Sequence, residues 1–574
     1  MHKRSEDNAP DGKAANIKIH VYRGNVERII CCKEGDTLLC VLRDNGLPII
    51  SPCNGRGKCG KCKAWVYGGE GLEKRSLSKD AAYKEVLSCR TVVKDGMKVR
   101  LSETGLEGMD ILSLSLENPA GTDRGQRDGK DRDSFGEVDI IFKTSCKSGP
   151  PFMAAIDLGS TTIAMALLNA EDGSLIDTET FVNGQHIYGA DVISRIQSAL
   201  EGKAGILRAL AQTELKEGLR RLCGRQEEGL ESIWRIAVAG NTAMLSLLMG
   251  WDVSGLSQAP YSARTEAFLG NGDMVFSEKS LAGTAVTVFP GFSAFVGADI
   301  VSGIYSIIGG HGDMGLSGPA ALVDLGTNGE MAIWNGENIY YTSAPAGPAF
   351  EGAHIRCGKA SIAGAICSVR IKGGSSRVKT ICDKEPIGIC GSGLLEAVSE
   401  LLKEDLVDEF GCLSEGCFSE GYPLYSGREK ICLFQEDIQE FIVAKAAIRA
   451  GFDALMRNSS MKVSSLKKLY LSGGLGSSMD VEAALRTGLI PVELKGRVEA
   501  VGNSSLSGIE AFLKASASIP HTESKLEHGP SGMDGEALEE LKALVKMGKK
   551  LELGHDKYFQ ERFIEEMIFH PVDL

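Results

Sequence analysis

A chain of 574 residues is too long for one hydrophobic core and should divide into two to four domains. Its hydrophobic content of 43% and aromatic content of 6% are ordinary for a globular protein, and a net charge of −13 excludes non-specific nucleic-acid binding, which needs an excess of Lys and Arg. Residues 1–15 are polar, without the apolar stretch of a secretory signal, and no run reaches the length of a membrane span, so a cytoplasmic protein without membrane partners is expected. Its sixteen cysteines then read as reduced thiols and metal ligands rather than disulfides.

From Asn16 the chain predicts a strand carrying Ile17, Ile19 and Val21, a Gly24-Asn25 turn, and a second strand over 26–31. A helix over 37–45 follows, with Asp36 as N-cap and Gly46 as its stop, and then strands over 63–67 and 97–101. These elements make a small α+β domain ending near Leu101. Residues 117–137 are charged and glycine-rich without apolar periodicity, and such a segment cannot bury enough surface to offset its ordering entropy. A flexible tether and a domain boundary are expected there. Beyond it, apolar runs at 152–158, 236–239, 320–325, 331–334 and 469–471 alternate with helical patterns at 190–200, 207–222 and 438–456, which predicts α/β domains with buried sheets. A second polar stretch, 520–535, precedes helices at 536–549 and 557–569. The divisions that follow are 16–105, a linker 106–145, a middle α/β domain 146–235 and a C-terminal domain 236–574.

Between the first helix and the next strand lies Cys53-Asn-Gly-Arg-Gly-Lys-Cys59-Gly-Lys-Cys62, completed by Cys89. The loop has almost no apolar side chains, so its thiols are not core residues. Four thiolates in a Cys-x5-Cys-x2-Cys arrangement with a distant fourth are the number a 2Fe–2S centre requires, and the glycines let backbone amides approach its sulfides. The first gap is one residue longer than in the plant-type pattern. The loop resembles instead the longer-gap ferredoxins, whose β-grasp fold matches the order of elements above. The alternative, a structural zinc site, normally shows two short Cys-x2–4-Cys knuckles, and only one is present. Cys31, Cys32 and Cys40 are expected as buried thiols of the same domain, and Cys412, Cys417 and Cys432 lack a fourth ligand for a second metal site.

A long-range echo joins Ala155-Ile-Asp157-Leu-Gly159-Ser160-Thr161-Thr162 to Leu322-Val-Asp324-Leu-Gly326-Thr327-Asn328-Gly329-Glu330. In each, an acid ends an apolar run and can hold Mg2+, while a Gly-Ser/Thr turn offers amides and hydroxyls to phosphate. Downstream, Leu469-Tyr-Leu-Ser-Gly473-Gly474-Leu-Gly-Ser477 runs from a strand into a glycine-rich turn that suits the adenosine side. The three elements resemble the phosphate-1, phosphate-2 and adenosine motifs of the acetate and sugar kinase, heat-shock chaperone and actin (ASKHA) superfamily, and no Walker A sequence is present. Glycine turns before helices at Gly240-Asn241-Thr242, Gly347 to Gly352, and Gly388-Ile-Cys-Gly391-Ser392-Gly393 suit an anion or simple capping, as Asn183, Gln185, Gly189, Asp191 and Arg195 suit the nucleotide or a solvated helix face.

A ferredoxin-type cluster tethered to such domains resembles the ATP-dependent reductive activators of corrinoid proteins. The strings that carry it are Cys53 to Cys62, Ala155-Ile-Asp-Leu-Gly, Gly189-Ala-Asp-Val-Ile-Ser-Arg-Ile196, Val323-Asp-Leu-Gly-Thr-Asn-Gly-Glu330, Gly388 to Gly393, Leu471-Ser-Gly-Gly-Leu-Gly476 and the segment Phe559 to Pro571. The resemblance implies a multidomain α/β and α+β architecture: a β-grasp ferredoxin domain, a flexible linker and actin/sugar-kinase-like domains. It gives Cys53, Cys59, Cys62 and Cys89 the 2Fe–2S cluster, Asp157 and Asp324 the Mg2+ and phosphate of ATP, and Gly473 and Gly474 the adenosine side. It implies one-electron reduction of Co(II) to Co(I) on a corrinoid protein of a methyltransferase system, fed by a low-potential reductase or ferredoxin; a homodimer is left open. A redox-regulated small-molecule kinase and an electron-carrying scaffold without ATPase activity are the alternatives.

Overall fold

The computed structural model describes residues 16–23, 26–45, 47, 62–67, 83–101, 152–189, 191–308, 318–476, 479–517 and 535–570. The expected tether and most of the cysteine loop, Cys53 and Cys59 included, lie outside the described residues. The chain divides into two compact units, residues 1–138 with 184–201 and residues 139–183 with 202–574.

In the first unit, β1 (Asn16–Arg23), β2 (Val26–Lys33), α1 (Leu38–Asp44), β3 (Lys63–Tyr67), β4 (Lys84–Leu87) and β5 (Lys98–Leu101) follow in order. The sheet runs β2-β1-β5-β3-β4, with β1 and β5 parallel and the other neighbours antiparallel, the arrangement expected of a β-grasp. Alternation explains β1: Ile17, Ile19 and Val21 are buried while Lys18 between them is exposed. Leu38, Val41 and Leu42 turn the apolar face of α1 onto the same core. Thr37, one residue after the expected Asp36, supplies the capping oxygen, 3.4 Å from the Cys40 amide. Cys31 and Cys40, expected to be buried, are exposed, because strand and helix alternation turns them away from that core. This unit also includes α2 (Val192–Ser198), opened by a reciprocal Asp191–Ser194 cap.

The second unit is built around two six-stranded sheets. The first contains β6 (Phe152–Leu158), β7 (Thr162–Asn169), β8 (Leu175–Val182), β9 (Ile233–Gly240), β10 (Phe268–Asn271) and β11 (Ala285–Val288), in the order β10-β11-β9-β6-β7-β8. Helices α3 (Ala204–Gly224), α4 (Thr242–Met249) and α5 (Gly272–Phe276) intervene, and α6 (Ala298–Ile308) follows. A division at residue 235 therefore falls inside β9, a strand central to this sheet. The second sheet contains β12 (Ala320–Leu325), β13 (Gly329–Trp334) and β14 (Ile339–Ala344). Strands β15 (Ala365–Lys372), β16 (Ser375–Thr380) and β17 (Gly388–Ile389) form a small sheet, packed by α7 (Gly391–Lys403); α8 (Glu415–Phe418) and the hairpin of β18 (Tyr422–Ser426) and β19 (Lys430–Leu433) follow. After α9 (Gln435–Asn458) come β20 (Lys468–Ser472), α10 (Gly473–Gly476), α11 (Val481–Arg486), β21 (Val498–Gly502), α12 (Ser504–Ala517), α13 (Gly535–Lys546), β22 (Gly548–Lys550) and α14 (Lys557–Glu565). The second sheet is ordered β21-β20-β12-β13-β14-β22.

The two sheets repeat one plan. Each has an antiparallel meander, β6-β7-β8 or β12-β13-β14, whose first strand pairs in parallel with a later one, β9 or β20. The sequence echo is thus a topological repeat, and both acids lie at the carboxyl end of a first strand, where open α/β sheets bind ligands. Helices α6 and α12 cross between the sheets: α6 leaves the first and packs on β12 and β13, while α12 leaves the second and packs on β6, β7 and β9. Phe512 of α12 meets Phe289 edge-on at 5.0 Å and is fully buried, a burial that contributes about 1.5–3 kcal/mol.

The helix expected over 536–549 stops at Lys546, because Gly548–Lys550 pairs in parallel with β14 and completes the sheet edge. Helix α14 is fastened to α9 by charge. Lys445 Nζ, with its side chain 0% exposed, lies 3.3 Å from Glu566 Oε2 and 2.8 Å from the Ile568 carbonyl. Arg562 joins Asp453 at 2.7 Å and also pairs with Glu566. Burial presses the Lys445 ammonium down to about 8 against the opposing pull of Glu566.

Candidate functional site

Four carboxyl groups converge at the carboxyl ends of β6 and β12. Asp157 is the penultimate residue of β6; its Oδ2 accepts from Asn503 Nδ2 and its Oδ1 from Ser505 Oγ, both at 2.8 Å. Asp324 is the penultimate residue of β12 and accepts from Ser472 Oγ at 2.7 Å, an approach set by the parallel register that places Asp324 beside Ser472. Asp299 stands in the first turn of α6, and Glu330 begins β13 opposite Asp324. Burial drives all four groups upward, and neighbouring acids add to it for Asp157, Asp299 and Glu330. Asp157 is raised to about 6 by burial, against the lowering hydrogen bonds of Asn503 and Ser505. Asp299 is raised to about 7 by burial and by the charges of Asp324 and Asp157. Burial raises Asp324 and lifts Glu330 well above the ordinary carboxylate range, Asp299 and Asp324 adding to the latter.

A converging set of acids whose charges oppose one another is suited to a cation. Among the described residues no group of three or more His, Cys, Asp or Glu is close enough to chelate an ion directly.

Around the acids, Gly159 makes the tight β6–β7 turn and accepts from Asn183 Nδ2 at 2.9 Å through its carbonyl, while Ser160 is part-exposed and Thr161 exposed. In the second turn the Gly326 amide donates to the Asn328 carbonyl at 3.1 Å, and Thr327 Oγ1 bonds Glu351 at 3.0 Å. Gly473 has φ +85°, and a Cβ there would stand 2.7 Å from Asp324 Oδ1, so only glycine fits. It thus closes on Asp324 and Leu325 at the start of the second turn, whereas Gly474 has nothing within 4 Å of a Cβ position. The Gly391-Ser392 turn is more tightly committed: a Cβ at Gly391 would meet the Phe350 carbonyl at 2.0 Å, and Ser392 Oγ donates to the Cys367 carbonyl at 3.2 Å. Asn241 caps α4 through the Met244 amide. Of the loop around α2, Asp191 caps that helix and Arg195 Nε donates to the Gly189 carbonyl at 2.8 Å, so both build the helix entry.

Asp299, Asn503 and Ser505 were not singled out in the sequence. Asp299 follows Gly297-Ala298 at the start of an apolar helix and reads as ordinary first-turn chemistry. Asn503 lies 346 residues from Asp157, and nothing local to it marks the contact.

In the first unit, Cys62 is buried and Cys89 partly so, and the Ser88 amide donates to the Cys62 carbonyl at 2.8 Å. That bond sets the backbone around Cys62 beside the backbone around Cys89, although the two cysteines are 27 positions apart in sequence.

The fold and these sites define a ferredoxin-type iron–sulfur domain joined to an ASKHA-type nucleotide-binding pair of sheets. Residues 22–94 match the 2Fe-2S iron-sulfur cluster binding domain, residues 152–308 the RACo middle region, and residues 319–527 the C-terminal domain of RACo, the ASKHA domain. The chain belongs to the RACo family of corrinoid activators. It is 26% identical to the corrinoid activation enzyme RamQ of Eubacterium limosum over 82% of this chain and 88% of that one. Identity to the [Co(II) methylated amine-specific corrinoid protein] reductase of Methanosarcina barkeri is 28%, over 62% of this chain and 68% of that one. A solved structure, a reductive activator for corrinoid, iron-sulfur protein, shares the fold with a TM-score of 0.63 at 23% identity, covering 97% of this chain and 99% of that one.

Proposed function

We propose that this chain reductively activates a corrinoid protein of a methyltransferase system, returning Co(II) to Co(I) by one-electron transfer at the expense of ATP. The observation that carries the reading is the pairing of Asp157 and Asp324 at equivalent strand ends of two repeated sheets, in a chain whose other unit sets the backbone at Cys62 beside that of Ser88–Cys89. The domain order and the relatives support it. Cys53, Cys59, Cys62 and Cys89 would hold a 2Fe–2S cluster, which when bound supplies one-electron transfer. Asp157 and Asp324 would hold Mg2+ directly or through water. The turns at Gly159, Ser160 and Thr161 and at Gly326, Thr327 and Asn328 would offer donors to the phosphates, with Gly474 the open backbone on the adenosine side. The committed contacts of Gly391 and Ser392 favour a supporting role for that turn, holding α7 against β15.

The corrinoid partner works as Co(I), and an oxidised cobalt is regenerated uphill from ordinary donors. A one-electron step changes tenfold in equilibrium for about 59 mV. A nucleotide-dependent coupling of about 1–3 kcal/mol therefore shifts the balance by roughly 40–130 mV. Electrons would enter from a low-potential reductase or ferredoxin. The test is anaerobic: protein, chemical reductant and a Co(II) corrinoid protein are mixed, and Co(I) absorbance is followed with and without ATP. ATP-dependent reduction is expected. Reduction that ignores ATP makes the second unit a scaffold, and phosphorylation of an added sugar or acid makes it a kinase.

A further inference from the structure

Both oxygens of Asp157 are held from one place, the N-terminal end of α12, a helix that enters from the opposite sheet. Asn503 is anchored at both ends of its amide: Oδ1 accepts the Leu506 amide at 2.8 Å and caps α12, while Nδ2 donates to Asp157. Ser505, one turn position further, donates to the other oxygen. A carboxylate gripped at each oxygen by a separate neutral donor has a fixed orientation, and the donors favour its ionised form.

The far side of α12 has no slack. Ser302 Oγ of α6 donates to the Ser505 carbonyl at 2.7 Å. A Cβ at Gly508 would stand 1.9 Å from the Ser302 carbonyl oxygen, and one at Gly303 would stand 2.6 Å from Ser504 Oγ. Two helices crossing at backbone contact transmit displacement instead of absorbing it in side-chain rotamers. Helix α6 in turn carries Asp299 in its first turn, and the charge of Asp299 is felt by Glu330. A continuous set of contacts therefore runs from Asp157 through Asn503 and Ser505 to α12, and from α12 to α6.

We propose that Asn503 and Ser505 are positioning residues for Asp157, and that through them α12 registers the arrival of Mg2+-nucleotide. The inference rests on the ATPase reading given above. A cation drawn among the acids acts on an Asp157 already aimed by these two donors, and any turn of that carboxylate pulls on the first turn of α12. Because α12 lies on β6, β7 and β9 but grows from β21, its displacement changes how the two sheets meet.

The experiment uses the full chain carrying Asn503→Ser, Ser505→Ala or Ser505→Thr. Serine at 503 retains a capping oxygen but loses the amide donor, and threonine at 505 retains the hydroxyl. Two quantities are read: the Mg2+-dependent affinity for a non-hydrolysable ATP analogue by calorimetry, and backbone hydrogen exchange over residues 506–515 with and without that analogue. Loss of a hydrogen bond to a charged group predicts affinity about tenfold weaker for Asn503→Ser and Ser505→Ala, with Ser505→Thr near the parent. The parent should show analogue-dependent protection of α12, and the two donor-loss variants should lose it. Parent-like affinity and protection in both, while the parent binds the analogue, overturn this inference alone. A variant that merely loosens α12 exchanges faster in both conditions with Mg2+ dependence unchanged, which also overturns it. Failure of the parent itself to bind the analogue removes the ATPase reading and this inference with it.

Discussion

Replacing Gly473 with alanine tests the nucleotide site at its tightest point. The added Cβ lies 2.7 Å from Asp324 Oδ1 and 2.9 Å from the Leu325 carbonyl oxygen, and the backbone sits at φ +85°. The left-handed backbone alone costs an L-residue about 1–2 kcal/mol. Relieving the two contacts adds roughly 1–2 kcal/mol more, because Asp324 is held by Ser472 and the Leu325 oxygen belongs to a central strand. A total of about 2–4 kcal/mol corresponds to a fall in Tm of roughly 2–5 °C for a unit of this size. The cheaper escape is for the Asp324 carboxylate to rotate away, so ATPase activity should fall by at least about tenfold even where the fold survives. Thermal unfolding followed beside steady-state ATP hydrolysis reads both effects, and the visible spectrum of the iron–sulfur domain provides an internal control. Gly474→Ala, which meets nothing within 4 Å, is the matched comparison and should leave stability and ATPase near the parent. A Gly473→Ala protein with parental Tm and parental kcat/KM would refute the close approach of that turn to Asp324.

Asp324→Ala should abolish ATP hydrolysis while leaving the iron–sulfur spectrum and reduction by dithionite intact. Cys62→Ser should do the reverse, losing Co(II) reduction with ATPase retained, as measured by Co(I) absorbance and phosphate release on one preparation. Lys445→Met removes the 3.3 Å partner of Glu566, which keeps Arg562, and should destabilise the second unit by about 1–3 kcal/mol in denaturant titration. Burial and like charge raise Asp157 to about 6 and Asp299 to about 7, so these acids favour the folded state at low pH. That contribution is complete below the unfolded value near 4 and is lost as pH rises through about 6 to 7. Mg2+ should therefore raise Tm more at pH 8 than at pH 5.5, and an equal rise at both would count against the acids as the cation's site.

The strand-end acids were legible because each carries its whole signal locally: an apolar run, an acid, and a Gly-Ser/Thr turn. The same is true of Cys62 and the β-grasp order around it. What escaped is non-local. The edge strand at Gly548–Lys550 exists because β14 offers an open edge, and the lysines at 549 and 550 gave no strand propensity to see. Asn503 and Ser505 stand at the start of α12, and their hold on Asp157 is a property of the crossing of α12 over β6. Cys31 and Cys40 misled because cysteine is usually buried, and residue type outweighed position in the alternation.

The buried pairing of Lys445 bears on how the protein is made. During synthesis α9 emerges well before residues 548–568, and until they follow, the Lys445 ammonium has neither Glu566 nor the Ile568 carbonyl, and β14 has an uncovered edge. A nascent chain that stalls in that interval presents an unmatched charge in α9 and a strand edge open to other chains. The second unit therefore completes its core only when that late segment arrives.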